Sequence, residues 1–355
     1  MSKETGKHKR INSATIFFAC LMALYIAVEL IAVYTGWLEH ITMLQNILIS
    51  QGIIFIPTIL FFVITKQNFR ETVRLNKMHV GTYFIIPLLV LCIEPVMTVV
   101  NAISMLFVKN YISAAATQVV TGYSYLTAMG LMALTPAIVE ELAYRGVILG
   151  NYRRTDTLGG ILMSGFLFGL MHMNFNQMAY AVILGIIFGI VVEASGSIIA
   201  TMEMHFLING LSVSLSYLLQ LFYNLPGSQG YLQESESTIT DEYLWQVIRV
   251  YGKVAVVALV FAGLLIYAIA AINNRKDNLK NIFRRRSHRA EKDTAYSNMA
   301  TDVFSGSTFD GDTFDGDTFG STTDNVEASP RIISPMLIIV IVLCIAKCIF
   351  DEFII

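Results

Sequence analysis

Apolar stretches of membrane-spanning length recur along the chain near residues 11–36, 42–65, 79–108, 123–150, 157–173, 177–194, 197–221, 254–272 and 332–350. Hydrocarbon about 30 Å thick offers no partner to a backbone N–H or C=O, so each stretch must satisfy its own backbone as a helix of about 20 residues. The chain is thereby confined to an all-α, polytopic transmembrane helical bundle, with an eight-helix core and a ninth, C-terminal span. Composition agrees: 55% of residues are hydrophobic and 14% charged, and the mean hydropathy is +0.62, outside the soluble globular range. A net charge of -2 gives no electrostatic footprint for nucleic acid.

Orientation follows from where Lys and Arg collect. Clusters occur at Lys3, Lys7, Lys9 and Arg10; at Lys66, Arg70, Arg74 and Lys77; at Arg153 and Arg154; and through residues 273–292. With nine spans all four clusters fall on one side, which the positive-inside rule makes the cytoplasm. The opposite loops hold Lys109 alone, in 109–122, and acids without a base, in 225–242. The N terminus is therefore expected in the cytoplasm and the C-terminal DEFII outside. No small-residue cleavage pattern follows the first apolar run, which reads as an uncleaved span.

These signals divide the chain into a cytoplasmic N terminus (1–10), a polytopic core (11–272), a cytoplasmic linker (273–331) and the C-terminal span (332–355). The linker is basic at first, then acidic and of low complexity, repeating TFDGD at 308–312 and 313–317. Such a tract cannot bury a core and reads as a disordered spacer. The last span, beyond this spacer, reads as an appended anchor outside the core bundle. Cys20, Cys92, Cys344 and Cys348 all lie in apolar segments and are expected to be packing residues.

Within the fourth apolar stretch, PAIVEELAYRG (136–146) places Glu140, Glu141 and Arg145 at membrane depth. An ionised group near the bilayer centre costs about 2.5–3.5 kcal/mol on insertion scales, so such groups are paired, cavity-facing or functional. Glu141 and Arg145 share a helix face and can pair. Glu140, rotated about 100° away, has no local partner. Pro136 lacks an N–H and is expected to bend the helix there, freeing a carbonyl toward a polar cavity.

Two later spans add polar groups. FLFGLMHMNFNQ places Phe168 and His172 one turn apart, on the face of Gly165 and Gly169, and HFLING does the same for His205 and Asn209. Small residues at Gly165, Gly169, Gly185 and Gly189 favour close helix crossing. Counting about 1.5 Å per residue from the cytoplasmic anchors puts Glu140, His172, His205 and Asn209 at about 20, 22, 12 and 18 Å, one layer within a helical turn or so. A carboxylate, two imidazoles and a carboxamide form a hydrolytic set: a base for water, a relay, and donors to a tetrahedral oxyanion.

EELAYRG, FGLMH and HFLIN match, in order, the EExxxR, FxxxH and HxxxN signatures of the CPBP intramembrane proteases. The chain resembles that family, which includes the CAAX prenyl proteases and the bacterial Abi proteins of bacteriocin processing and self-immunity, most clearly over residues 79–221. The resemblance implies Glu140 as general base, His172 helping to activate water, His205 and Asn209 as oxyanion hole, and Glu141 and Arg145 as support. It implies an eight-helix core whose cavity opens toward the cytosol, and as substrate a membrane-associated or lipidated protein or peptide. The compact size and lack of a soluble domain suggest a bacterial plasma membrane. No cofactor is expected. Glu140, His172 and His205 could ligate Zn²⁺, but the H-E-x-x-H spacing that sets two ligands on one helix face is missing, so metal-free glutamate chemistry is preferred.

The alternatives are an inactive immunity or scaffold protein and a small-solute or proton-coupled transporter, since intramembrane acids also build relays. No inverted repeat supports the transporter. Glu29 and Glu94 read as interhelical pairing residues or as the lining of a cavity or entrance, Glu203 as structural, and NFNQ (174–177) as the turn between the fifth and sixth spans.

Overall fold

The computed structural model describes residues 3–110, 112–223, 225, 239–283 and 333–353. These are helical, with no strand among them. The principal helices are α1 (Lys3–Thr35), α2 (Met43–Thr65), α3 (Val80–Met105), α4 (Tyr125–Tyr152), α5 (Thr157–Met171), α6 (Phe175–Ser195), α7 (Ile199–Tyr223), α8 (Asp241–Ile272) and α9 (Pro335–Phe353). Among the described residues, α1 to α4 and α6 to α8 are long and apolar enough to cross a bilayer. α5, at 15 residues, reaches only about 22 Å, and α9 carries Lys347, Asp351 and Glu352 near its end. The TFDGD repeat and the basic run 284–292 lie outside the described residues.

The helices alternate in direction, as the hydrogen bonds at either end of the bundle show. At the basic end, Arg10 of α1 donates to Gln67 after α2 (3.3 Å), Asn76 before α3 to the Gly196 carbonyl after α6 (2.9 Å), and the His79 N–H to Asn273 after α8 (2.8 Å). At the other end, the Leu44 N–H of α2 donates to the Tyr123 hydroxyl (3.1 Å), and the Tyr217 hydroxyl of α7 to the Tyr123 carbonyl (2.7 Å). The Lys109 N–H there donates to Glu352 of α9 (3.0 Å).

The basic end is fastened by a residue that its sequence context had not singled out. Glu193, near the end of α6, is buried and faces Arg74 at 2.6 Å, Arg153 at 3.5 Å and Arg275 at 3.5 Å. Three loops thus converge on one carboxylate. Burial, and then the neighbouring Arg74, push the Arg153 guanidinium down to about 9, against the pull of Glu193. Arg275 is lowered by the same causes.

α5 and α6 cross at their glycines, as the small-residue spacing predicts. A Cβ on Gly185 would lie 2.6 Å from the Gly165 Cα, and one on Gly165 2.7 Å from the Ile186 backbone nitrogen. This crossing seats α5, with Phe168 and His172 at its end, deep against its neighbour. α4 is a helix with two widened stretches, Met129–Leu134 and Leu142–Leu149, on either side of Thr135–Glu141. Such π-type turns shift side-chain register locally and recur at functional sites.

α9 differs from the appended anchor expected of it. Leu337, Cys344 and Cys348 are buried in the same apolar cluster as Phe18, Leu21, Tyr144 and Leu170, and Lys347 meets Glu29 of α1 at 2.8 Å. Glu29, alone in its apolar helix, is stabilised by Lys347, which also pairs with Asp351 one turn along α9. All four cysteines are free thiols.

Candidate active site

α2, α3, α4, α5, α6 and α7 enclose a cavity of about 710 Å³. Glu140, His172, His205 and Asn209 all line it, and Glu141 and Arg145 do not. The 100° between adjacent helix positions makes this division: Glu140 turns to the cavity while Glu141 turns into the protein.

Glu141 and Arg145 form an ion pair at 2.8 Å with both side chains fully buried. The guanidinium also lies 4.3 Å from the centroid of Phe168 and 4.8 Å from that of Phe188, each face of an aromatic ring attracting the cation. The same rings flank the imidazoles: Phe168 lies 5.1 Å from His172 and 6.0 Å from His205, and Phe188 5.5 Å from His205. Phe168, one turn before His172, thereby ties the buried pair to both histidines.

His205 stands between the two carboxylates, with Nδ1 at 3.1 Å from Glu141 Oε1 and Nε2 at 3.9 Å from Glu140 Oε2. A carboxylate only accepts, so Glu141 fixes the proton on Nδ1 and turns Nε2 to Glu140 and the cavity. His172 Nδ1 lies 2.8 Å from the Phe168 carbonyl. A carbonyl likewise only accepts, which leaves His172 Nε2 as the acceptor nitrogen. The two imidazoles are held in defined tautomers, one by the buried Glu141 carboxylate and the other by the Phe168 carbonyl.

Asn209 Nδ2 donates to the Met132 carbonyl at 3.0 Å. Met132 lies in the widened stretch Met129–Leu134 just before Pro136, where the backbone departs from regular α-helical bonding. The asparagine of α7 thus ties itself to the irregular turn of α4, and its second amide hydrogen remains for other acceptors.

Gln51 is a site residue that the sequence reading missed. Its Nε2 donates to Glu140 Oε1 at 3.1 Å. The signal was present as a lone amide in an otherwise apolar run, ISQGIIF, and gained meaning only when α2 packed against α4. Asn101 and Asn176 also face the cavity, joined by a 3.0 Å hydrogen bond. NFNQ is the turn expected: Asn174 caps α6 by accepting from the Gln177 N–H at 2.9 Å. Of the two acids left open, Glu29 pairs with Lys347, while Glu94 lines the cavity with no ion-pair partner among the described residues. Glu203 is not part of the lining.

The cavity extends from Glu140 mainly toward one end of the bundle, reaching no nearer the basic end than His205 and Phe188. Its lining comprises the first third of α2 (Met43 to Gln51), the second half of α3 (Glu94 to Asn101), the end of α5, and α7 from His205 to Ser216. From His205 outward these segments run toward the end opposite the basic loops. On the basic side Glu141, Tyr144 and Arg145 are fully buried and close the floor. A cytosolic opening and a cytoplasmic basic face were expected together, whereas most of the cavity lining lies toward the end away from the described basic residues.

Among the described residues, no three His, Cys, Asp or Glu side chains converge as a metal site. Glu140, His172 and His205 as placed therefore do not form a ready metal centre.

The fold and site define a multi-pass integral membrane protein with a Glu–His–Asn cavity walled off by a buried ion pair. Residues 122–211 match the family described as type II CAAX prenyl endopeptidase Rce1-like. This matched stretch, about a quarter of the chain, holds all three motifs and is what the chain shares with that family of intramembrane proteases. Comparison with curated proteins and with solved structures returned no match.

Proposed function

We propose that the protein is an intramembrane endopeptidase that hydrolyses a peptide bond of a membrane-associated polypeptide by metal-free attack of water. The observation that carries this reading is the position of Glu140, cavity-facing and held by Gln51, with His205 Nε2 across from it at 3.9 Å. A water on Glu140 loses a proton to the carboxylate as its oxygen attacks the carbonyl carbon, with His172 Nε2 accepting its other hydrogen. The carbonyl oxygen becomes an oxyanion, which the free amide hydrogen of Asn209 and a protonated His205 Nε2 stabilise. Glu141 at Nδ1 supports the imidazolium. Collapse of the intermediate breaks the C–N bond, and Glu140 returns its proton to the leaving amine. We place the protein in a bacterial plasma membrane with its N terminus in the cytoplasm.

The buried floor at Glu141, Tyr144 and Arg145 speaks against a conduit, which needs a path to both faces. The test compares purified wild type and Glu140→Gln on quenched peptides, prenylated and plain, with and without a chelator. Hydrolysis by wild type alone, unchanged by the chelator, is expected. Hydrolysis by both proteins would remove Glu140 from the reaction, and loss with the chelator would remove the metal-free mechanism.

A further inference from the structure

From the direction in which the cavity runs, we infer that the scissile segment reaches the site from the non-cytoplasmic side of the membrane. The substrate class is then a polypeptide exposed outside the cytoplasm, such as an exported peptide or the outer flank of a membrane anchor, and not a cytosolic C-terminal tail. This rests on the protease reading for its chemistry, but the path itself rests on the fold alone.

Three independent observations agree. Asn46 near the start of α2, Asn176 and Gln177 at the start of α6, and Ser216 toward the end of α7 all line the cavity beyond Glu140. Each lies at the end where Tyr123 joins α2 to α7. Behind Glu140 the way is closed twice, first by the fully buried Glu141, Tyr144 and Arg145, then by the convergence of Arg74, Arg153 and Arg275 on Glu193. That second closure is itself built from arginines of three basic clusters, and the positive-inside rule assigns the face of the described basic residues to the cytoplasm. A peptide from the cytosol would have to displace both ionic layers.

The lining suits an extended peptide. Amides and hydroxyls of Asn46, Ser50, Thr98, Asn101, Gln177 and Ser212 are interspersed with apolar side chains along the path. They provide donors and acceptors for backbone groups that have left their own secondary structure.

The experiment places single additional cysteines at Ser212, exposed within the cavity wall, and at Arg70, exposed on the basic face. Membranes carrying Ser212→Cys or Arg70→Cys are prepared as sealed right-side-out and inverted vesicles and treated with a membrane-impermeant maleimide. Labelling of the unsubstituted protein, which has its four natural thiols, is subtracted. Ser212→Cys should label at least tenfold more in right-side-out vesicles, and Arg70→Cys at least tenfold more in inverted ones. Asn46→Cys serves as a second cavity position should Ser212→Cys fail to fold. Cavity labelling from the inverted face, or both positions labelling from one face, would overturn the inference. In the same vesicles a quenched peptide should be cleaved only when added to the right-side-out form. Cavity labelling from outside with no cleavage of any peptide would leave the path standing and remove the protease reading.

Discussion

Replacing Arg145 by Ala should separate structural support from chemistry. Arg145 and Glu141 are both fully buried and 2.8 Å apart, and removing one partner of such a pair destabilises by about 3–5 kcal/mol because the other charge is left uncompensated. The guanidinium also gives up its contacts with Phe168 and Phe188 at 4.3 and 4.8 Å. Against this, His205 lies 3.1 Å from Glu141 and can carry a proton in place of the lost cation. A net loss of about 3 kcal/mol is therefore expected, which is roughly a hundredfold in the folding equilibrium. The assay is the denaturant midpoint in detergent, read beside the yield of monodisperse protein. Glu140→Gln is the comparison: the amide oxygen still accepts from Gln51, so its stability should stay within about 1 kcal/mol of wild type while hydrolysis is lost. The double variant Glu141→Met with Arg145→Met should regain most of the stability, since two apolar side chains leave no buried charge. Hydrolysis should stay impaired because His205 Nδ1 has lost its acceptor. Arg145→Ala with a wild-type midpoint, or Glu140→Gln that unfolds, would refute the division of labour argued from burial.

Gln51→Ala should lower kcat by about tenfold, equivalent to one hydrogen bond to a charged group, and leave the fold intact. An unchanged pH–rate profile and kcat would show that Gln51 does not position Glu140. Glu94→Gln should raise KM for peptides bearing Lys or Arg and leave neutral peptides unaffected, which steady-state kinetics on a matched peptide set checks. Gly185→Val should abolish folded protein, since even its Cβ would approach the Gly165 Cα to 2.6 Å. Normal yield by size-exclusion chromatography would remove the close crossing. Lys347→Met should loosen α9 by stripping Glu29 of its partner, seen as faster alkylation of Cys344 and Cys348. Arg153, depressed to about 9 in the folded protein, well below an exposed guanidinium, stays cationic at neutral pH. Because the folded form holds that proton less tightly, its contribution to stability rises with pH only above about 9 and is flat below. The thermal midpoint of Glu193→Gln relative to wild type should accordingly be displaced downward by the same amount at pH 6 and pH 8.

The sequence by itself determined the helical membrane fold, the crossing of α5 with α6, and which polar residues share faces. These are consequences of local rules: a bilayer forces every apolar run into a self-satisfied helix, and a period of 3.6 residues fixes what lies one turn apart. The partition of Glu140 from Glu141 is legible for the same reason, as a 100° rotation between neighbours. What the sequence left open concerns pairs far apart in the chain. Glu29 needed Lys347, Glu140 needed Gln51, the Met132 carbonyl needed Asn209, and Glu193 needed three arginines from three loops. Periodicity places each of these on a helix face but says nothing about which helix faces it. The direction of the cavity belongs to the same kind. Depth counted along single helices puts the polar residues in one layer, whereas the open side depends on where the large buried side chains of Glu141, Tyr144 and Arg145 fill the space between helices, and only packing in three dimensions decides that.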